Sequence, residues 1–400
     1  MRVHFSEQAF DYQTLRAMAY TTFGGAEPGE VLATVARIEP GDTDSWYTEW
    51  KTTAERVERQ GDDASRAGND RTACRAFLRA HNYYRSAEFF LDPSDPRRRP
   101  TYERSRETFR AGVSRLETPV ETIEIPYEGT TLPGYLFLPN SDPGTGPSPT
   151  VVCLGGFDSV AEELYFLCGV PEALARGYAV VLFDGPGQGA PLRYENLTAR
   201  RDWEHVVGPV LDTLAADERV DTERIGLVGV SFGGYYAPRA AAFEDRITAC
   251  VAFDHMHDLW RAAAYEAPRL AELVLRAPDA VVNGLAALGG RFSVESRWLM
   301  ANSKWVFGVD SAAAVQRTLR DYSLSGVAHE IECPMLVLAG EDDHFVPLGL
   351  AQEFVDELTC PTTLRVFSTE EGAGEHCQVG NLTLATSVIY DWFDETMAEA

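Results

Sequence analysis

The chain has 400 residues, more than one ordinary domain and enough for a packed core with an appendage. Hydrophobic residues make up 45% and charged residues 24%, a balance that excludes wholesale disorder. The formal net charge of -26 repels phosphate backbones and anionic lipid surfaces, so neither nucleic acid nor a membrane is expected as a partner.

The N-terminal MRVHFSEQAF lacks the apolar stretch of a signal peptide, and no window reaches the roughly 18 apolar residues of a membrane span, so a cytoplasmic protein is expected. Cys74, Cys153, Cys168, Cys250, Cys333, Cys360 and Cys377 are odd in number and widely spaced, several inside apolar runs, as reduced core residues would be. No CxxC pair suggests zinc, and no cofactor is expected.

Residues 1–117 read as a helical cap segment. Val31 to Ile38, Trp46 to Gln60 and Arg71 to Phe90 space their apolar residues at three and four, the helical period, and another helix, Tyr102 to Leu116, leads into the core. The string DPSDPRRRP breaks the third of these with its prolines. From Val120 the texture changes to short β-rich runs alternating with helical stretches, the signature of a mostly parallel sheet with crossover helices. ETIEIPY and LPGYLFLP flank the turn EGTT as a hairpin; then come Thr150 to Leu154, Ala179 to Asp184, Arg224 to Gly229, Ala249 to Phe253, Pro334 to Ala339 and Thr363 to Phe367. That pattern predicts a mostly parallel eight-stranded sheet with helices on both faces, and together with the serine motif described below an α/β-hydrolase fold. Its core is assigned to residues 118–253 and 334–400, with a helical lid insertion over residues 254–333 after the sixth strand.

IGLVGVSFGGYYAPRAAA runs a buried strand into Gly229-Val230-Ser231-Phe232-Gly233 and then a helix. This is a nucleophile elbow: small residues let strand and helix pass closely, and Ser231 is held at a helix N-terminus beside the Phe232 N–H. A chance GxSxG is common in glycine-rich chains; the strand before, the helix after and the position at the fifth strand decide for the elbow. A serine hydroxyl needs a base, which follows late in the chain in this fold. His344 and His376 are late enough, and His376, in a glycine-rich loop before the last helix, is the candidate. Asp343 in LVLAGEDDHFVP is assigned to orient it. Asp342, as a neighbouring carboxylate, and Asp254, at the end of the sixth strand, are the alternatives. Gly155 and Gly156 in VVCLGGFDS turn the backbone inward, making the Phe157 N–H the second oxyanion donor beside Phe232. The string DHMHD, Asp254 to Asp258, offers an H-x-H pair that a metal could use. The preferred reading is without metal: His255 and His257 face substrate or serve as an extra acid, or the polar groups cap the next helix. Asp158 and Trp260 complete the candidate substrate contacts, although tryptophans in a lid more often pack than bind.

Together LRAHNYYRSAEF, GGFDS, FDGPGQG, GVSFGG and GAGEHCQ resemble the family of the fermentation-respiration switch protein, α/β-hydrolases with an N-terminal helical cap, over residues 70–395. Within it the chain is similar to the branch acting on 2,6-dihydroxypseudooxynicotine and to fungal hydrolases that shorten polyketides in pigment pathways. The resemblance implies cleavage of a carbon–carbon bond next to a ketone, or of an ester, through an acyl-serine on Ser231, Asp343 and His376. It also implies that Tyr83, Tyr84 and Arg85 belong to the cap near the site. DHMHD departs from the pattern of the nicotine-degrading branch and leaves its acid and substrate open. An acyltransferase or cyclase would use the same three groups, and a non-catalytic binding protein on a hydrolase scaffold is a further alternative. The cap leaves room for a homodimer, although no heptad seam argues for one.

Overall fold

The structure is a computed structural model that describes residues 1–140 and 146–398; residues 141–145 and 399–400 of the expected core segments lie outside the described residues. The chain divides into two compact units, one of Met1–Val120 with Gly284–Ser303 and one of Glu121–Asn283 with Lys304–Ala400.

The first unit is built from helices Gln8–Ala19, Pro28–Val35, Thr43–Arg66, Asp70–Glu88 and Arg98–Val113. Aromatic side chains at helical spacing hold it together. Trp46 lies 4.7 Å from Phe10 and 5.1 Å from Phe90, ring centre to ring centre, and Trp50 lies 5.5 Å from Tyr83. Trp298, from the stretch expected to be a separate lid, stacks on Phe89 at 4.6 Å and donates its indole N–H to the Phe89 carbonyl at 2.8 Å. Residues 284–303 therefore pack with the N-terminal helices rather than standing alone.

The second unit carries the sheet, made of β1 (Val120–Tyr127), β2 (Thr130–Phe137), β3 (Ser148–Leu154), β4 (Ala179–Phe183), β5 (Val220–Val230), β6 (Ala249–Phe253), β7 (Met335–Gly340) and β8 (Thr362–Phe367). The eight strands lie in the order β1-β2-β4-β3-β5-β6-β7-β8. Glu128 and Gly129, both with positive φ, make the tight turn between β1 and β2. β2 runs antiparallel to β4, and all pairings from β4 through β3 to β8 are parallel. In β4, β6 and β7 every residue is buried, as expected where helices cover both sheet faces, which is why these strands read as unbroken apolar runs. All seven cysteines are free thiols. Among the described residues no helix is long and apolar enough to cross a membrane.

Parallel pairing puts the strands' carboxyl ends along one edge, where loops can meet. Leu154 pairs with Gly229, Val230 with Phe253, and Phe253 with Leu338, so the segments following β3, β5, β6 and β7 leave the sheet side by side. Gly229 shows how tightly they are pressed: a Cβ there would lie 1.9 Å from the Gly233 carbonyl oxygen and 2.7 Å from Ala237 Cβ. Backbone cannot yield as a flexible side chain does. Gly229→Ala is expected to destabilise the protein by about 3 kcal/mol, the upper end of overpacking costs, read as a lower urea midpoint; an unchanged midpoint would show that strand and helix can separate freely.

Candidate active site

Ser231 stands between β5 and the helix Gly233–Ala241 with φ of +58°, the left-handed region that non-glycine residues rarely occupy. Two backbone bonds hold it there: its N–H donates to the Phe253 carbonyl at 2.6 Å, and its carbonyl accepts from Gly234 N–H at 2.8 Å. Only glycine fits at 234, where a Cβ would sit 1.6 Å from the Asp254 carbonyl oxygen. The serine is half-buried and Phe232 N–H opens the following helix.

His376 begins a single 3-10 turn, His376–Gln378, after β8. Its Nε2 lies 2.8 Å from Ser231 Oγ. Its Nδ1 faces two carboxylates, Asp343 Oδ2 at 2.6 Å and Asp254 Oδ2 at 3.0 Å. With both acids on Nδ1, the ring proton belongs there, and the Nε2 lone pair is left for the serine O–H. The sequence treats Asp343 and Asp254 as alternatives; the structure brings both to one nitrogen. Asp342, the other alternative, stays exposed, accepting from Thr369 Oγ1 while its N–H donates to the Gly374 carbonyl.

The two acids are supported differently. Asp343 Oδ1 accepts from the N–H groups of Phe345 at 2.7 Å and Val346 at 2.9 Å. Asp254, fully buried, accepts from Cys377 N–H at 2.6 Å and from Gln378 Nε2 at 2.9 Å. Burial works to raise the Asp254 carboxyl, but its bonds to His376 and Gln378 outweigh it and hold the group below the ordinary carboxylate range. Asp343 goes the other way: burial pushes it up to about 6, with the Asp254 charge adding to the rise against the pull of His376. Cys377 and Gln378, both with positive φ, were not singled out by sequence reasoning; the GAGEHCQ string was the signal for them.

The remaining candidates fall in different places. Phe157 is half-buried, its ring 6.4 Å from that of Phe232 and 5.9 Å from Phe307. Gly156, just before it, lies against the elbow: a Cβ there would be 2.9 Å from Ser231 Cβ and 3.0 Å from Phe232 N. Asp158 and Trp260 are half-buried. His255 and His257 are buried, and burial lowers both imidazoles, His255 to about 4, so they are held neutral. His257 stacks on Phe354 at 5.3 Å. Asp258 caps the helix Leu259–Ala264 through Arg261 N–H at 2.8 Å, which answers for one polar group of DHMHD. Tyr83 and Tyr84 are committed inside the first unit: Tyr83 donates to Glu30 at 2.9 Å and accepts from Glu27 N–H at 3.0 Å, and Tyr84 donates to Glu58 at 2.6 Å. Their hydroxyls serve framework contacts there. Asp254, His376 and Cys377 are close enough to hold a metal, but His376 is already engaged at both ring nitrogens.

The geometry can pass a proton from Ser231 to His376 while the acids stabilise the imidazolium that results. Comparison with known proteins agrees with the fold. The profile described as "Esterase FrsA-like" matches residues 27–275. The chain is 38% identical to hydrolase acrC of Aspergillus aculeatus, over 96% of each chain. It is 37% identical to 20-hydroxy-prefusarin hydrolase FUS2 of Gibberella moniliformis, over 98% of each. Among solved structures it is similar to 2,6-dihydroxy-pseudo-oxynicotine hydrolase, with a TM-score of 0.75, 24% identity and 95% of each chain covered.

Two acids on one nitrogen make the losses unequal to those of a lone acid. Asp343→Asn and Asp254→Asn are each expected to lower kcat by about 10- to 100-fold, and the double variant by the roughly 10⁴-fold seen when a single triad acid is neutralised. Equal losses in one single variant and the double would assign the role to one acid alone. Because the folded-state pKa of Asp343 is raised, its stabilising contribution is complete below about pH 4 and lost as pH rises through about 6. Thermal unfolding should therefore show Asp343→Asn gaining on the natural protein between pH 4 and pH 7.5; a constant offset would contradict the shift.

Proposed function

Because the chain belongs to the FrsA-like esterase family, we propose that it is a serine hydrolase that cleaves a carbon–carbon bond next to a ketone, or an ester, in an aromatic or polyketide-derived small molecule. The observation that carries this is the contact of Ser231 Oγ with His376 Nε2 at 2.8 Å, backed on Nδ1 by Asp343 and Asp254. The names of the relatives, hydrolases including one for 20-hydroxy-prefusarin, support the substrate class.

In the proposed reaction Ser231 Oγ attacks the carbonyl carbon and its proton passes to His376 Nε2. The carbonyl oxygen becomes an oxyanion held by the Phe157 and Phe232 N–H groups. Collapse breaks the bond between acyl carbon and α-carbon, and the departing enolate takes the proton from Nε2. Water, deprotonated by the same nitrogen, then attacks the acyl-serine and frees an acid, so one water is consumed and Ser231 regains its proton. An ester follows the same route with an alkoxide in place of the enolate. The buried carboxylates favour a positively charged His376 in both steps.

Treatment with a fluorophosphonate followed by peptide mapping should place the label on Ser231, and Ser231→Ala should abolish it along with about 10⁶-fold in kcat. An unlabelled Ser231 would sink the serine mechanism. Turnover of β-diketones beside p-nitrophenyl esters is expected; turnover of esters alone would remove the carbon–carbon half of the proposal.

A further inference from the structure

The FDGPGQG string, singled out in the sequence without a chemical role, lies after β4, and its glutamine reaches the loop that follows β3. Gln188 is buried, 3% exposed. Its Nε2 donates to the Gly155 carbonyl at 2.6 Å and to the Gly156 carbonyl at 3.3 Å, while its Oε1 accepts from Gly185 N–H at 3.0 Å. The orientation of the amide follows from these partners: the group facing Oε1 is a donor and the groups facing Nε2 are acceptors. Asp184, in the same string, accepts from Ala161 N–H at 2.7 Å and from Ala190 N–H at 3.1 Å, so the loop carrying Gln188 is itself tied down.

Within a trans peptide the C=O and the next N–H point in opposite directions. Drawing the carbonyls of Gly155 and Gly156 toward Gln188 therefore turns the N–H groups of Gly156 and Phe157 away from it. The same loop also packs against the elbow: a Cβ at Gly156 would lie 2.9 Å from Ser231 Cβ and 3.0 Å from Phe232 N. Two successive glycines would otherwise leave these peptide planes free to rotate.

We propose that Gln188 is a positioning residue: by holding two carbonyls on one side of the loop, it presents the backbone N–H groups on the other to the oxyanion formed at Ser231. The inference rests on the serine-hydrolase reading above. It assigns no contact between Gln188 and substrate, and it predicts an effect on the charged transition state rather than on substrate binding.

The test compares Gln188→Met, of similar length but without donors, and Gln188→Glu, which sets a carboxylate against two carbonyls. With p-nitrophenyl butyrate, kcat per titrated active serine should fall about 10- to 100-fold, in the range of a displaced oxyanion donor, with KM within about threefold. The rate of Ser231 labelling by a fluorophosphonate, whose P=O needs the same donors, should fall by a similar factor, and Gln188→Glu should be the more damaging. Folded variants with kcat and labelling rate within about twofold of the natural protein would overturn the proposal. So would losses accounted for entirely by fewer titratable serines, or failure of both variants to fold, which would make Gln188 purely structural. If the natural protein takes no label at Ser231, the serine mechanism itself fails, a result distinct from normal labelling that is indifferent to position 188.

Discussion

One imidazole has to be gripped from opposite sides, and most of the architecture of the second unit serves that demand. His376 meets Ser231 through Nε2 and two aspartates through Nδ1, and the four residues lie on the segments that follow four different strands. Parallel pairing from β5 to β8 brings those segments to one edge. The close passage of glycines 229 and 234 against neighbouring backbone lets the elbow approach β6. Placing two acids side by side out of water is costly, and the structure answers with donors: backbone N–H groups of Phe345 and Val346 for one, Cys377 N–H and the Gln378 amide for the other. The left-handed backbone at Ser231, Cys377 and Gln378 places strain where those directions have to be met.

Strand positions were readable because a strand covered on both faces writes itself as an apolar run. Ala249 to Phe253 is predicted with the same ends as β6, and the runs leading to β3, β4, β7 and β8 differ from the observed strands by one or two residues. Ser231 and His376 were readable for a different reason, since each sits in a short glycine-rich string whose neighbours must be small. What the sequence leaves dark is convergence. Nothing local says that Asp254 and Asp343, far apart in the chain, reach the same nitrogen, so they look like rivals. Likewise Gln188 looks like one more turn residue until the carbonyls it faces are known. Nor does the sequence say what Tyr83 and Tyr84 touch: buried hydroxyls need partners, and Glu30 and Glu58, distant in the chain, provide them.

The expected lid shows a limit of reading by continuity. In the sequence residues 254–333 read as one helical stretch between the sixth and seventh strands, so they look like a single element. Their interactions divide instead, because Trp298 and Val294 belong to the aromatic cluster of the N-terminal helices, whereas Phe307 belongs to the core beside the sheet. A contiguous insertion can thus complete two cores, and helical periodicity alone cannot assign its faces.

That division bears on the order of events during synthesis. Domains commonly fold as units in the order in which they leave the ribosome. Here the helices of residues 8–113 are made before the sheet, but the wall supplied by residues 284–303 follows only after six of the eight strands have been translated. Until then Phe89 and Phe90 lack the Trp298 ring that packs on them in the finished unit, so a unit begun ahead of the sheet is completed only after most of it.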